Sequence, residues 1–468
     1  MARVGSRFTS YLSPMPLTTN DQRLTTDSTI VAIATAPGLG AIAIVRLSGP
    51  EAFAMAARLA PSVEVARARE AQLVALVGPD GEAIDQALVT CFPAPHSFTG
   101  DDTVEFSVHG GVLVPGLVVA AIVAAGARMA EPGEFTRRGV LNGKLDLLQA
   151  EAVGDLISAT APGQARVALR QLDGALSRRI AALREETLQA QALLAYAVDF
   201  PEEDDGPVAP ERPVAAVRAL MAQLEGLLAT AADGERVRQG ALVVLAGPPN
   251  AGKSTLFNAL LGSERALVTE IPGTTRDAIE ADTTVEGWPV RLVDTAGLRN
   301  TNDRLEAMGV EVSRRYLEAA DIILYCNDLA ENTERNEYSF THSRETAQIA
   351  TKSDVLGAKE RGTTDYSFVS AHTGEGIADL RRLLAARLFG GVARSAGDGG
   401  LLTRARHRAA IDAALAALRL ADEELGAGEV VLGAHQLQEA VVALDGLIGV
   451  VDREEVFDRV FAGFCIGK

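Results

Sequence analysis

The densest chemistry in the chain lies between Gly247 and Ala371. Gly247-Pro248-Pro249-Asn250-Ala251-Gly252-Lys253-Ser254 reads G-x-x-x-x-G-K-S, followed by Thr255 and an amphipathic run to Leu261. Glycines at both ends let backbone N–H groups converge on one anion, and a helix starting at the lysine adds its partial positive charge. The spacing predicts a loop that cradles nucleotide phosphates, with Asn250, Ala251, Gly252, Lys253, Ser254 and Thr255 against the ligand. Lys253 reaches the outer phosphates and the Ser254 hydroxyl ligates Mg2+. Asp294-Thr295-Ala296-Gly297 is a D-x-x-G, in which Asp294 holds the metal through water and the Gly297 N–H senses the terminal phosphate. Thr275, inside Gly273-Thr274-Thr275-Arg276-Asp277, closes the metal shell.

Thr351-Lys352-Ser353-Asp354 occupies the base-reading position, where N-K-x-D is the usual form. The Asp354 carboxylate can accept guanine N1–H and N2–H, which adenine cannot offer, so GTP is the expected nucleotide. Ser370-Ala371 matches the loop that supports guanine from its other side. Thr351 in place of Asn loses or reroutes one contact, worth about 0.5–1.5 kcal/mol. The position after D-x-x-G, where a glutamine orients the attacking water in Ras-like enzymes, is Leu298, which has no group to do so. Arg276, Asp303 and Glu306 are the candidates to fill that vacancy. The residues alone do not rank them, and a solvated loop charge is the plain alternative for each.

These loops need a buried sheet to hold them. Ala241–Ala246, Arg291–Val293 and Asp321–Cys326 read as its strands, and Tyr366–Val369 leads into Ser370. On either side the texture is helical, rich in Ala, Leu, Arg and Gln at three and four spacing: residues 145–232, interrupted by Pro201–Pro207, then 401–427 and 436–450. This arrangement predicts an α/β domain inserted into a helical one. Nearer the start, Thr29–Gly49 reads as two strands around a Gly/Pro turn. Strands follow at 87–92 and 103–108, and helices at 51–59 and 113–125. The expected fold class is multidomain, α/β combined with all-α. The expected divisions are an extension at 1–27, an α/β domain at 28–143, helical parts at 144–239 and 396–468, and the insert at 240–395.

With 468 residues, about three domains are expected, and 47% apolar residues suffice for their cores. A net charge of −18 excludes gripping a nucleic acid with the whole surface. An RNA partner therefore requires a local basic patch or a second protein. Cys91, Cys326 and Cys465 form no C-x-x-C pair, which points to a reducing compartment and the cytoplasm. No charge-free apolar run has the length of a membrane span. Residues 1–27 lack the apolar core of a secretory signal and read as a disordered extension or an early start, with Met15 available.

The phosphate loop with its Asn250, GTTRD, DTAGLR and the terminal Phe464-Cys465-Ile466-Gly467-Lys468 together resemble the MnmE (TrmE) family of tRNA-modifying GTPases. The resemblance runs from about Asp27 to Lys468. It also rests on TIVAIATAPG, SFTGDDTVEF, HGG, PGEFTRR and LNGKLDLLQAEAV. It implies a homodimer with a folate-binding N-terminal domain, a helical domain and an inserted Ras-like P-loop GTPase domain. It implies work with the FAD protein MnmG, in a heterotetramer, on C5 of the wobble uridine of certain tRNAs. The added group is aminomethyl or carboxymethylaminomethyl, and 5-formyl- or 5,10-methylene-tetrahydrofolate supplies the one-carbon unit. By motif, Asn250, Thr269, Ile271 and Thr274 resemble the family's potassium ligands, and Glu306 falls at its catalytic glutamate. Arg46, Glu105, Lys144 and Lys468 resemble its folate contacts.

Two alternatives stand beside this reading: a ribosome-assembly GTPase of the Era type and a non-catalytic nucleotide-switched scaffold. The Ala/Leu/Glu-rich block after Gly400 argues against the basic RNA-binding domain expected of the first. The CIGK end fits a prenylation box poorly. Cys465 reads as a buried small residue in preference to a reactive thiol, and His109 as structural or pocket-lining in preference to a metal ligand.

Overall fold

The computed structural model describes residues 27–199, 211–262, 280–295, 314–329, 345–356, 366–395, 400–449, 460–461 and 464–467. They fall into two compact units, residues 1–144 with 458–468, and residues 145–457.

The first unit is built on a six-stranded sheet in the order β3-β4-β5-β2-β1-β6. Its strands are β1 (Ile30–Ile33), β2 (Ile42–Ser48), β3 (Gln72–Val77), β4 (Ala83–Phe92), β5 (Thr103–His109) and β6 (Arg128–Met129). Only the β1–β6 pair is parallel. Alternation decides its two faces. Ala43, Val45 and Leu47 of β2 and Val104, Phe106 and Val108 of β5 are buried in one core with the helices Ala52–Leu59 and Val114–Ala124. Full burial of a side chain such as Phe106 contributes about 1.5–3 kcal/mol. The opposite positions, among them Ile44, Arg46, Glu105 and Ser107, stay partly exposed.

The chain's last described residues belong to this unit, although their sequence position follows the second helical part. The Gly133 N–H donates to the Cys465 carbonyl (3.3 Å). Gly467, at φ +97, packs so tightly on the Ile33 carbonyl that a Cβ there would collide with it. Phe461 and Phe464 sit against Gly133, itself at φ +71, and only glycine meets both demands easily.

The second unit combines helices and a sheet. Among the described residues, five helices precede the sheet: Leu147–Ser158, Pro162–Leu172, Ala175–Asp199, Glu211–Leu228 and Ala231–Gln239. Ala405–Gly426 and Val430–Ile448 follow it. Ile180, Leu183, Leu220, Leu224, Leu415 and Leu444 share their core. The segment Glu211–Gln239 is long and apolar enough, at mean hydropathy 1.3, to cross a membrane by composition. Its Val217, Leu220, Leu224 and Leu227 instead fill this core at helical spacing.

An ion network ties the helices before the sheet to those after it. Buried Glu151 accepts from Arg406 Nε (3.0 Å) and Nη2 (2.9 Å), and from His407 Nε2 (2.6 Å). Burial opposes its charge, yet these donors hold its carboxyl down at about 2. Burial pushes His407 down as well, so a neutral imidazole donating from Nε2 fits the site.

The inserted sheet has the order β12-β11-β10-β7-β9-β8. It comprises β7 (Ala241–Ala246), β8 (Glu280–Val285), β9 (Trp288–Asp294), β10 (Ile322–Asp328), β11 (Glu345–Thr351) and β12 (Ser367–Phe368). All neighbours are parallel except the edge pair β8–β9. Every residue of β7 is buried, as expected of a parallel strand covered on both faces. The β8–β9 turn, Glu286-Gly287, has both residues at positive φ (50 and 78), the twist a tight hairpin requires. Its tip meets the helical part: the Gly163 N–H donates to the Gly287 carbonyl (2.8 Å), and Arg166 lies over the Trp288 ring at 5.6 Å.

Candidate functional site

Parallel strands bring their carboxyl ends to one edge, where the connecting loops form a crevice. β7 delivers the loop 247–252, β9 ends in Asp294, β10 ends in Asp328 and β11 ends in Thr351. The loop's shape depends on three residues at positive φ: Gly247 (137), Asn250 (61) and Gly252 (75). At Gly247 a Cβ would strike the Cys326 carbonyl of β10. Lys253 Nζ donates to the carbonyls of Gly247 (2.9 Å) and Pro248 (2.7 Å), so the lysine arches back over its own loop. Ser254 Oγ donates to Asp294 Oδ2 at 2.5 Å. A hydroxyl and a carboxylate converging beside a phosphate-type loop are the oxygen donors that Mg2+ prefers. Thr255 is exposed on the first turn of the helix Lys253–Gly262.

The base-reading loop is fastened from several directions. Thr351 Oγ1 is hydrogen-bonded to the carbonyls of Ala251 (2.8 Å) and Asn327 (3.0 Å). Lys352, at φ 53, reaches Asp328 Oδ2 (2.6 Å). The Ser353 N–H donates to the Val369 carbonyl (3.1 Å), and the Ser370 N–H to the Glu375 carbonyl (2.9 Å). Asp354 is exposed, while Ser370 is buried and Ala371 partly so. Burial pushes the Cys326 thiol up to about 12, so this cysteine is packing beneath the loop and not a nucleophile.

Asp328, which accepts from Lys352, and Glu375, whose Oε2 accepts from Ser353 Oγ at 3.3 Å, were not singled out in the sequence. Each is a lone acidic residue outside any spaced motif, and only a strand–loop contact reveals its part. Thr269, Ile271, Thr274, Thr275, Arg276, Gly297, Leu298, Asp303, Glu306 and Lys468 lie outside the described residues.

The first unit holds a second polar centre. Arg46 and Glu105 face each other in the β2–β5 register. Arg46 donates to Glu105 Oε1 from Nε (2.9 Å) and Nη2 (2.8 Å). The guanidinium lies 5.5 Å from the Phe98 ring centroid and 5.6 Å from that of Phe135, within cation–π range. These two rings were also missed in the sequence, where nothing marks them as neighbours of residue 46. Lys144 is exposed, and among the described residues no hydrogen bond or ion pair joins it to Arg46 or Glu105. The tail reaches this region, since Gly467 packs on Ile33 and β1 pairs Ile33 with Val45. Cys465 is exposed, contrary to the expectation of a buried small residue. His109 Nδ1 is 2.7 Å from Asp85 Oδ1, a structural pairing. Against burial, bonds from His109 hold the Asp85 carboxyl below its ordinary value. No group of three metal-ligating side chains occurs among the described residues.

Comparison with known proteins agrees across the chain. The profile described as GTP-binding protein TrmE N-terminus matches residues 29–144, and that of the MnmE helical domain matches residues 147–465. The tRNA modification GTPase MnmE of Chloroflexus aurantiacus is 42% identical over 454 residues, covering 94% of this chain and 100% of the relative. The protein of the same name from a strain of Thermus thermophilus is 45% identical over 442 residues, covering 94% of this chain and 98% of the relative. Among solved structures, Era of Aquifex aeolicus bound to GDP and aluminium fluoride is 27% identical, covers 31% of this chain and 55% of that one, and has a TM-score of 0.25. A TM-score at that level carries no inference.

Proposed function

The chain belongs to the MnmE family of tRNA modification GTPases, and from that premise we propose how its two polar centres divide the work. Its GTP hydrolysis depends on potassium and serves the modification of C5 of the tRNA wobble uridine. It acts as a homodimer in the cytoplasm with an MnmG-like FAD protein, and the added group is aminomethyl or carboxymethylaminomethyl. The one-carbon unit comes from 5-formyl- or 5,10-methylene-tetrahydrofolate held in the N-terminal unit.

The observation that carries the nucleotide half is the meeting of Ser254 and Asp294 at 2.5 Å beside the loop 247–252. Lys253 would reach from the loop carbonyls to the outer phosphates, Ser254 and Thr275 would hold Mg2+ with Asp294 through water, and the Gly297 N–H would sense the terminal phosphate. Asp354 selects guanine. Asn250, with Thr269, Ile271 and Thr274, holds the potassium ion, whose charge replaces an arginine finger worth about 4–7 kcal/mol. Glu306 orients the water that Leu298 cannot, and Arg276 adds charge within the same segment.

The folate half rests on the Arg46–Glu105 pair. A pterin edge offers N–H donors to the Glu105 carboxylate, whose Oε2 is not used by Arg46. The anionic glutamyl tail suits the cations Arg46, Lys144 and Lys468. Mass spectrometry of wobble uridines in a strain lacking the protein tests the whole reading: the C5 group is absent, and restored by the wild-type chain. Full modification in the deletion strain refutes it. Equal GTP turnover in sodium and potassium refutes the cation assignment separately.

A further inference from the structure

Thr351 stands where the base-reading motif usually has asparagine, and its geometry shows where the missing amide's bonds have gone. The side chain is buried, and its Oγ1 lies 2.8 Å from the Ala251 carbonyl and 3.0 Å from the Asn327 carbonyl. A hydroxyl has one proton to donate, and both of these partners are acceptors. A Cβ built on Gly252 would lie 3.5 Å from Thr351 Cβ, so the side chain also packs flush against the phosphate loop. An asparagine has two N–H donors and could brace the loop with one while offering the other outward.

Guanine presents acceptors, N7 and O6, on one edge and the donors N1–H and N2–H on another. Once the Thr351 proton is spent on protein carbonyls, the hydroxyl has nothing to give N7. We propose that Thr351 is a positioning residue, a brace tying the base-reading loop to the phosphate loop, and that this chain selects guanine without a side-chain contact to N7. The inference rests on the reading that Asp354 takes the donor edge of guanine.

Equilibrium binding of GTP, 7-deaza-GTP and inosine triphosphate to the full chain tests both statements apart. The wild type binds 7-deaza-GTP within about twofold of GTP, since no bond to N7 is lost. It binds inosine triphosphate about tenfold or more weakly, since Asp354 loses the N2–H partner. Thr351→Asn begins to discriminate against 7-deaza-GTP by about fivefold. Thr351→Val keeps the shape and removes the hydroxyl, taking away the one proton that the Ala251 and Asn327 carbonyls share. It weakens all three nucleotides by a common factor of about ten. Thr351→Ser keeps the hydroxyl and rescues that loss, and Thr351→Ala, which also lacks the hydroxyl, takes the place of the valine variant if that does not fold.

A tenfold loss on 7-deaza-GTP in the wild type overturns the proposal, because a group then reads N7. A serine variant as weak as a folded Thr351→Val overturns the brace, because packing alone is then at work. Inosine triphosphate bound as tightly as GTP leaves the Thr351 comparison intact and refutes the Asp354 reading instead.

Discussion

The two sheets place their chemistry by opposite rules. In the inserted sheet every pair but β8–β9 is parallel and β7 is buried throughout, so among the described residues the candidate functional side chains do not project from a strand's middle. Its chemistry sits in the loops and strand ends at one edge, around Gly247, Asp294 and Thr351. In the first sheet most pairs are antiparallel and one face stays partly open, so Arg46 and Glu105 sit within strands at facing positions. A loop-borne site is a contiguous run of residues whose backbone does much of the binding. A strand-borne site is a pair of side chains from distant segments, brought together by register.

The difference predicts where single changes hurt most. The largest effect belongs to Glu306, which lies outside the described residues. Glu306→Ala keeps GTP affinity nearly intact and loses about 10²–10⁴ of turnover in potassium, ~3–5 kcal/mol of barrier. Wild-type turnover in that variant would make Glu306 a solvated charge, while weakened GTP binding would place it in the ground state. Next comes the loop backbone. Gly247→Ala puts a Cβ against the Cys326 carbonyl at φ 137, so strain of about 1–3 kcal/mol appears in urea unfolding, with a matching loss of GTP affinity. A wild-type midpoint and affinity would mean that the loop is not pinned by β10.

A matched pair of substitutions sharpens the contrast in the strands themselves. Val244 is fully buried on β7, and Ile44 is half-buried on the open face of β2. Val244→Thr places a hydroxyl in a dry sheet and costs about 1–2 kcal/mol of unfolding free energy. Ile44→Thr leaves its hydroxyl within reach of water and costs about half that or less. Equal costs in denaturant titrations would show that the open face of the first sheet is as closed to water as the interior of the inserted one.

The same contrast explains what the sequence disclosed. The nucleotide loops were legible because each is a contiguous run with fixed spacing, next to a uniformly apolar strand such as 241–246. The helices around them showed in the three and four spacing of Leu220, Leu224 and Leu227. β3 was not legible, because Leu73 points outward and Gln72 inward, which erases the alternation a strand would show. β11, Glu-Thr-Ala-Gln-Ile-Ala-Thr, carries too little apolar character to read as buried. Arg46 and Glu105 are 59 positions apart. No local pattern pairs them, and only the family resemblance singled them out. The docking of Phe464 and Cys465 on Gly133, and of Gly467 on Ile33, is a set of long-range glycine contacts with no local signature.

A change that barely moves stability decides what a strand-borne pair does. Glu105 Oε1 takes two N–H donors of Arg46, from Nε and Nη2, and its Oε2 is not among the atoms that bond Arg46. Glu105→Gln nearly preserves volume, and its amide oxygen can still accept from Arg46. The pair is partly exposed, with side chains at 22% and 26%, so solvent screening keeps the stability loss below about 1 kcal/mol. What changes is the outward atom: an acceptor becomes an N–H donor, which repels the donor edge of a pterin. Calorimetry with 5-formyltetrahydrofolate on the full chain should then show about tenfold weaker binding, or ~1.4 kcal/mol. Arg46→Gln should weaken it by a similar amount through the anionic tail. If Glu105→Gln binds as the wild type while Arg46→Gln does not, the carboxylate serves only to hold the guanidinium in register.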